Sequence, residues 1–159
     1  GFLAGLRIGE ILALQKGDID FEQSTITINK TLTMDENYKT YIKEGTKTNN
    51  SNRTIYVNNR ILSEVKLYFD DKKFKKNRYL PHESKKVSMF FKQVGFENFT
   101  AHSTRHVFIT LAQEYGISPV FVSQYVGHKT NSTTISVYTH MPINKQNQKL
   151  DEFVYQFLD

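Results

Sequence analysis

The spacing of apolar residues changes along this chain, and the change restricts the folds that it can adopt. Residues 24–29 alternate between apolar and polar side chains, which is typical of a strand with one buried face. Two further strands are predicted at residues 38–43 and 53–57, with turn-forming residues at 44–52 between them. Short strands with tight links predict a small three-stranded antiparallel sheet in the N-terminal third of the chain.

Apolar residues recur at helical spacing in the rest of the chain. A short helix is predicted over residues 6–14 and ends before Gly17. Ser118 and Pro119 predict the cap and the first residue of a later helix, which Gly127 ends. The other helical stripes lie at residues 61–69, 87–94, 108–115, 132–138 and 150–158. Together these patterns predict an α+β fold that is mainly α-helical.

Length and composition narrow the class of protein. The 159 residues suffice for one domain whose core needs no disulfides. The net charge of +5 favours an anionic partner without identifying it. The absence of cysteine excludes thiol catalysis and thiolate metal sites. We expect a cytoplasmic protein, because no apolar run approaches the roughly 20 residues that span a bilayer and the first residues lack a signal-peptide pattern.

Several side chains are suited to chemistry on a phosphate ester. Arginines can clamp a phosphate, histidines and a lysine can move protons, and a tyrosine can attack. Each of these residues also has an ordinary structural explanation when it is taken alone. The candidates, in chain order, are Arg7, Lys47, His102, Arg105, His128 and Tyr138.

Arg7 lies among apolar residues at the predicted start of the first helix. An arginine in such a place is costly to bury unless an anion meets it. The anion could be Glu10, three residues further on, or a bound phosphate. Gly9 costs a helix about 1 kcal/mol relative to Ala, which indicates close packing or the close approach of a binding partner.

The other candidates are equally open to two interpretations. His102 and Arg105 are three residues apart at a predicted helix start, so they could serve a phosphate together or form a surface pair. His128 follows a helix C-terminus, where the dipole favours the charged imidazolium. Tyr138 is one of nine tyrosines. Forming its phenolate at pH 7 costs roughly 4 kcal/mol, which nearby cations would have to offset.

The order and spacing of these residues resemble the catalytic domain of the phage-integrase family, the tyrosine recombinases. The resemblance rests on Gly-Leu-Arg-Ile-Gly-Glu around Arg7, His-Ser-Thr-Arg-His over residues 102–106, and a Gly-His pair followed ten residues later by Tyr138. It covers nearly the whole chain, and integrases of Gram-positive phages and mobile elements are the most similar subgroup. Thr104 departs from the leucine that is usual in the family. The resemblance implies the tyrosine-recombinase catalytic fold.

The resemblance also implies an activity, the site-specific cleavage and rejoining of DNA that integrates or excises a phage or mobile element. Tyr138 would be the nucleophile and would form a 3′-phosphotyrosyl link. Lys47, in a loop similar to the family's lysine hairpin, would protonate the leaving 5′ oxygen, and His102 would also move protons. Lys39 and Lys43 are other lysines in or near this hairpin. Neither a metal ion nor another cofactor is implied.

The remaining roles concern the phosphate. Arg7, Arg105 and His128 would stabilise the charge on the pentavalent phosphorus, as preorganised donors do. Glu10 would brace Arg7, and His106 would support the site without acting in it. All of these roles are carried over from the family to the matching positions of this sequence.

The family implies partners as well. They are double-stranded DNA carrying attachment sites and further copies of the protein, which form a tetramer on the DNA. The apolar stripe at residues 150–158 could dock in trans on a neighbouring protomer, or it could fold back on its own core. Because Arg7 lies so near the first residue, we expect residues 1–159 to be a single catalytic domain from a longer protein with an upstream DNA-binding domain.

Other classes of protein remain open at this point. A type IB topoisomerase shares the nucleophile and the arginine clamp. A DNA-binding remnant would have lost catalysis. A basic scaffold would need neither the nucleophile nor the clamp. His102 and His106 are four residues apart and could bind zinc on a helix. Arg105 beside them would oppose a cation, and the glutamate of the zinc-protease motif is absent.

Overall fold

The computed structural model describes residues 1–45, 52–70, 83–128 and 143–156. Five strands, six α-helices and a short 3-10 helix at Lys16–Asp18 lie in these ranges. The strands are β1 (Ile19–Asp20), β2 (Thr25–Ile28), β3 (Lys30–Met34), β4 (Thr40–Glu44) and β5 (Arg53–Tyr56). The helices are α1 (Ile8–Ala13), α2 (Asn59–Asp70), α3 (Glu83–Gln93), α4 (Ala101–Glu114), α5 (Pro119–Val126) and α6 (Ile143–Gln156). The helix predicted at residues 132–138 lies outside the described residues.

The strands form two small antiparallel sheets, so the mainly helical α+β fold is confirmed. In the first sheet β2 is central, between β1 and β5. Ile26 of β2 pairs with Ile19 on one side and Ile55 on the other, and all three side chains are buried. This sheet therefore presents one apolar face to the core, as the alternating pattern predicted.

The pairing of the strands differs from the prediction. The strand predicted at residues 38–43 is β4, which pairs with β3 in a separate hairpin and not with the three-stranded sheet. No side chain of β3 or β4 is fully buried, so the alternation that reveals a half-buried strand is weak there. β1, with only two residues, is too short to produce a pattern.

The first helix packs closely on this hairpin. A Cβ on Gly9 would lie 2.5 Å from Thr31 Oγ1 and 2.7 Å from the carbonyl oxygen of Leu32. Gly9 is therefore explained by close packing, one of the two reasons that the sequence left open. The contact places the start of α1 against β3.

The main core lies between the three-stranded sheet and helices α4, α5 and α6. Phe108 of α4 stacks on Tyr125 of α5 and meets Phe153 of α6 edge to face. Leu150, Phe153 and Val154 are all buried in this core. The described part of the C-terminal stripe thus folds back on its own chain, which was the alternative to docking in trans.

Polar contacts attach α6 to the end of β5. Tyr56 Oη donates to Asp151 Oδ2 at 2.8 Å, and Asn58 Nδ2 donates to Asp151 Oδ1 at 2.7 Å. Tyr125 Oη donates to the Tyr56 carbonyl at 2.7 Å. Burial, with the hydrogen bond and charge of Asp151, raises the pKa of Tyr56 to about 12. The phenol therefore keeps its proton, and the network stays intact, at neutral pH.

The helix ends follow the sequence signals with one exception. Gly127 ends α5 in the left-handed region, at φ 72°. Ser118 occupies the N-cap position before Pro119, but its side chain makes no capping hydrogen bond. Its buried Oγ has no hydrogen-bond partner among the described residues. Within the ranges that the structure describes, no helix has both the length and the apolar character needed to cross a membrane.

Candidate active site

Arg7 precedes the first residue of α1 and is joined to Glu10 by two contacts. Arg7 Nη1 donates to Glu10 Oε1 at 2.9 Å, and the backbone N–H of Arg7 donates to Glu10 Oε2 at 2.9 Å. The Glu10 side chain is 2% exposed, whereas the Arg7 side chain is 39% exposed. The salt bridge expected from the spacing is therefore present, and it leaves part of the guanidinium open to an approaching anion.

A second arginine, Arg53, also binds Glu10, and no role had been predicted for it. Arg53 Nη1 and Nη2 donate to Glu10 Oε1 and Oε2, each at 3.1 Å. The Arg53 side chain is only 8% exposed. One signal was present in the sequence, because Arg53 shares a strand face with Ile55 and Val57, which are both buried. A basic residue in an apolar register indicates a buried partner.

The third arginine of this cluster is Arg105, near the start of α4. Nη1 donates to the Gly5 carbonyl at 2.8 Å, Nη2 donates to the Val126 carbonyl at 2.6 Å, and Nη1 lies 4.0 Å from Glu10 Oε2. The side chain is 1% exposed, so its donors are not displayed on the surface as a phosphate clamp would require. Burial, and then the charges of Arg7 and Arg53, lower the pKa of Arg105 to about 10, which still leaves it charged at pH 7.

Glu10 is therefore surrounded by three guanidinium groups. Burial alone would raise the pKa of Glu10. The hydrogen bonds and charge of Arg53, with the hydrogen bonds from Arg7, outweigh that effect and hold the pKa below its usual value. The cluster thus contains one carboxylate against three cations, and its excess positive charge suits a phosphate.

Two of the predicted histidines lie on the first turns of α4. The rings of His102 and His106 meet edge to face, with centroids 4.7 Å apart. Burial, followed by the charges of His106, Arg105 and Arg7, lowers the pKa of His102. Thr104, which replaces the leucine usual in the family, is buried and donates to the Ala101 carbonyl at 2.7 Å. The hydroxyl is satisfied within the helix, so the substitution leaves α4 regular.

His128 follows Gly127 at the end of α5, where its backbone N–H donates to the Ser123 carbonyl at 2.9 Å. Burial, and then the charges of Arg105 and Arg7, lower the pKa of His128. The helix dipole at this position favours the imidazolium, whereas burial and the two nearby arginines favour the neutral ring.

The C-terminal turn of α5 also contacts the arginine cluster. Arg7 Nη2 donates to the Gly127 carbonyl at 3.3 Å, and Arg53 Nε donates to the Tyr125 carbonyl at 2.7 Å. These contacts bring His128 to the same side of the molecule as Arg7. A cleft of about 510 Å³ opens beside His102. Its lining residues are Ile8, Lys85, Ser88, Met89, Thr100, Ala101 and His102.

Two of the predicted site residues, Lys47 and Tyr138, lie outside the described residues, as do His82 and His140. By sequence, Lys47 belongs to the connection between β4 and β5, and Tyr138 to the connection between α5 and α6. Within the described ranges, no cluster of three or more His, Asp or Glu side chains could hold a metal ion. His102 and His106 thus have no third ligand there.

The sequence profile of the Phage integrase family matches residues 2–145, so the chain belongs to that family, the tyrosine recombinases. It is 33% identical over 177 residues to the integrase of Staphylococcus phage L54a, an alignment that covers 96% of this chain and 50% of the phage protein. It is 27% identical to the ICEBs1 integrase of Bacillus subtilis, covering 95% of this chain and 46% of that protein.

Solved structures of recombinases share the fold. The Tn1549 transposon integrase, in complex with transposon right end DNA, matches with a TM-score of 0.70 and 21% identity, over 95% of this chain and 56% of that one. XerA recombinase matches with a TM-score of 0.58 and 20% identity, over 99% of this chain and 56% of that one. The chain spans about half the length of the relatives it matches.

Proposed function

We propose that this protein cuts and rejoins DNA at specific sites through a 3′-phosphotyrosyl intermediate, to integrate or excise a phage or mobile element. One observation carries the proposal. Three arginines converge on the buried carboxylate of Glu10, and two histidines with lowered pKa values, His102 and His128, lie near them. A site with excess positive charge, with imidazoles beside it that can donate hydrogen bonds or exchange protons, suits the stabilisation of a phosphorane.

The chemical step is a transfer of the phosphoryl group. The Tyr138 oxygen forms a bond to phosphorus while the bond from phosphorus to the 5′ oxygen breaks. Lys47 gives a proton to the leaving oxygen, and His102 accepts the proton that the phenol loses. The phosphotyrosyl link keeps the energy of the broken bond, so a 5′-hydroxyl can reverse the step. These roles come from the family pattern at the matching positions.

The arginines and His128 act on the phosphate oxygens. Arg7 has the most accessible guanidinium of the cluster, so it makes the first contact with DNA. Arg105 lies deeper, and the movement of a carbonyl partner would free a donor for the same phosphate. An arriving phosphate would also raise the pKa of His128, because the negative charge favours the imidazolium. Binding DNA would therefore charge this residue where charge is useful.

The proposal extends to organisation and partners. Residues 1–159 act as the catalytic domain on double-stranded DNA, in the cytoplasm. Several copies assemble into a tetramer on two attachment sites. Leu150, Phe153 and Val154 are buried in their own core, so docking in trans would use the end of the stripe, residues 157–158, which lie outside the described residues. DNA binding draws on the net charge of +5, so it weakens as salt rises.

Covalent capture on nicked DNA tests the proposal. A duplex with a candidate attachment site and a nick beside the cleavage position traps the cut strand, and the SDS-resistant adduct is measured on a gel. We expect an adduct with the full-length protein and none with Tyr138→Phe. Tyr155→Phe, at an exposed tyrosine on α6, is the matched control and should leave the adduct unchanged.

The possible outcomes separate the remaining classes. An adduct that survives Tyr138→Phe would assign the nucleophile to another residue. No adduct on a site that the protein demonstrably binds would overturn the enzymatic proposal in favour of a DNA-binding remnant. Relaxation of a supercoiled plasmid without a partner site would favour the topoisomerase alternative.

A further inference from the structure

Arg53 lies behind the candidate phosphate-binding groups and is closed to DNA itself. Its side chain is 8% exposed. Two of its nitrogens bind Glu10, and the third, Nε, binds the Tyr125 carbonyl at 2.7 Å. A residue so placed has no free edge for a phosphate, so any effect on cleavage must pass through the groups that it holds.

The first of these groups is the Glu10 carboxylate. The fork of Arg53 binds both oxygens, which fixes the plane of the carboxylate as a bidentate pair does. The same two oxygens accept Arg7 Nη1 and the Arg7 backbone N–H. The orientation of Arg7 is therefore set by a carboxylate that Arg53 has already oriented.

The second group is the end of α5. Arg53 lies against Gly127, whose Cα would carry a Cβ only 2.8 Å from Arg53 Nη1. The Gly127 carbonyl is the other acceptor of Arg7, at 3.3 Å. Arg53 thus supports both contacts that orient the Arg7 guanidinium, and it also supports the peptide that leads into His128.

We propose that Arg53 is a positioning residue for DNA cleavage, which acts on Arg7 through Glu10 and the Gly127 turn. The inference rests on the proposed function. Its rival is a purely structural role, in which the pair of Arg53 and Glu10 contributes only to folding. The two differ in one respect, because a positioning residue affects the step in which negative charge on the scissile phosphate is neutralised.

Arg53→Lys tests the proposal, because lysine keeps the charge but cannot form the two-pronged contact. We expect Arg53→Lys to fold, to bind DNA within about two-fold of the wild type, and to cleave nicked DNA about 100-fold more slowly in single turnovers, a loss typical of a misplaced group. Cleavage is then measured with a neutral methylphosphonate at the scissile position. On the methylphosphonate, the rate defect of Arg53→Lys should be at least about ten-fold smaller than on the normal phosphate, because less negative charge develops on the scissile group. The rate defect of Arg7→Lys should shrink in the same way.

Tyr56→Phe is the matched control. Tyr56 is on the same strand, but its hydroxyl binds Asp151 and not Glu10. It should lower the melting temperature without changing the cleavage rate. A double variant, Glu10→Gln with Arg53→Gln, removes both charges together. Its cleavage defect should be smaller than the combined defects of Glu10→Gln and Arg53→Gln, because part of the effect of Arg53 passes through the Glu10 carboxylate and is already lost in Glu10→Gln.

The outcomes for Arg53→Lys and for the wild-type protein test the positioning role and the proposed function separately. A defect of Arg53→Lys that is equal on both substrates, or a rate within about three-fold of the wild type, would overturn the positioning role while the proposed function stands. Failure of Arg53→Lys and of the double variant to fold would also overturn it, in favour of the structural role. Absence of an adduct from the wild-type protein would instead overturn the proposed function, and this inference with it.

Discussion

The guanidinium of Arg53 lies directly against the Cα of Gly127. A Cβ on Gly127 would stand 2.8 Å from Arg53 Nη1 and 3.1 Å from Cζ, and the backbone there is left-handed, with φ at 72°. Glycine therefore serves two purposes at this position. It ends α5, and it leaves the space that the buried arginine occupies.

We expect Gly127→Ala to destabilise the protein by about 2–5 kcal/mol, the sum of left-handed strain and overpacking. Gly116→Ala is a matched control, because Gly116 has φ 83° but only Lys149 Nζ nearby, at 3.5 Å. It should cost only the strain, about 1–2 kcal/mol. Gly17→Ala, with nothing within 4 Å, should be nearly neutral. Urea denaturation measures all three, and equal losses for Gly127→Ala and Gly116→Ala would contradict the packing argument.

Gly9→Ala should destabilise the protein although alanine is the better helix former by about 1 kcal/mol. The new methyl group would meet Thr31 Oγ1 and the Leu32 carbonyl, and the backbone oxygen cannot rotate away. Overpacking of this kind costs about 1–3 kcal/mol. Thermal unfolding should show part of the loss restored by Thr31→Ala, which removes one of the two obstructions. A stabilised Gly9→Ala variant would show that α1 does not pack on the hairpin in this way.

The lowered pKa of Glu10 predicts a loss of stability in acid. The unfolded chain takes up this proton near the ordinary value of 4.5, whereas the folded chain resists it because Arg53 and Arg7 favour the carboxylate. The free energy of unfolding should therefore fall as the pH drops below about 4.5. Glu10→Gln should lose this component and cost about 3 kcal/mol at pH 7, because Arg53 is left without its counter-charge. Denaturation at several pH values measures both effects, with the exposed Glu97→Gln as control.

The raised pKa of Tyr56 predicts that the stability of the folded state depends on pH in alkali as well, with the opposite slope to that of Glu10 in acid. The unfolded tyrosine loses its proton near pH 10, whereas the folded one keeps it to about 12. The contribution of Tyr56 to stability should therefore fall as the pH rises from 10 to 12, and Tyr125, whose pKa burial also raises, contributes with the same sign. Arg105, whose pKa is lowered to about 10, contributes with the opposite sign, so the contribution of Tyr56 is measured as the difference between the wild type and Tyr56→Phe. At pH 7 the substitution should cost about 1.5–3 kcal/mol, the value of a hydrogen bond to a carboxylate.

Local patterns predicted the features that depend on neighbours in sequence. The link between Arg7 and Glu10 follows from their spacing of three, and Gly127 ends α5 as expected. The pair of Arg53 and Glu10 could not be found in this way, because 43 residues separate them. Only the alternation of buried residues along β5 indicated that Arg53 is buried, and such a pattern does not show which residue Arg53 contacts.

The other differences between the sequence-based predictions and the structure also arise from contacts between residues that are distant in sequence. The strand at residues 38–43 was recognised, but its partner β3 was not, because a hairpin without buried side chains has little period-two signal. The apolar stripe of α6 predicted burial without saying which surface covers it. The dipole beside His128 follows from its own helix, but the burial and the arginine charges that lower its pKa depend on the folded chain and could not be predicted locally. The roles of Tyr138 and Lys47 remain predictions from the family pattern.

The arginine cluster also has a consequence for the order in which the molecule is made. Arg105 holds the carbonyls of Gly5 and Val126, and Arg7 reaches Gly127 across 120 residues. A ribosome releases these residues in sequence, so a growing chain that ends before Val126 cannot form the cluster. The proposed DNA-cutting centre is therefore completed only after Gly127 has been made, and a synthesis interrupted before that point leaves a chain without it.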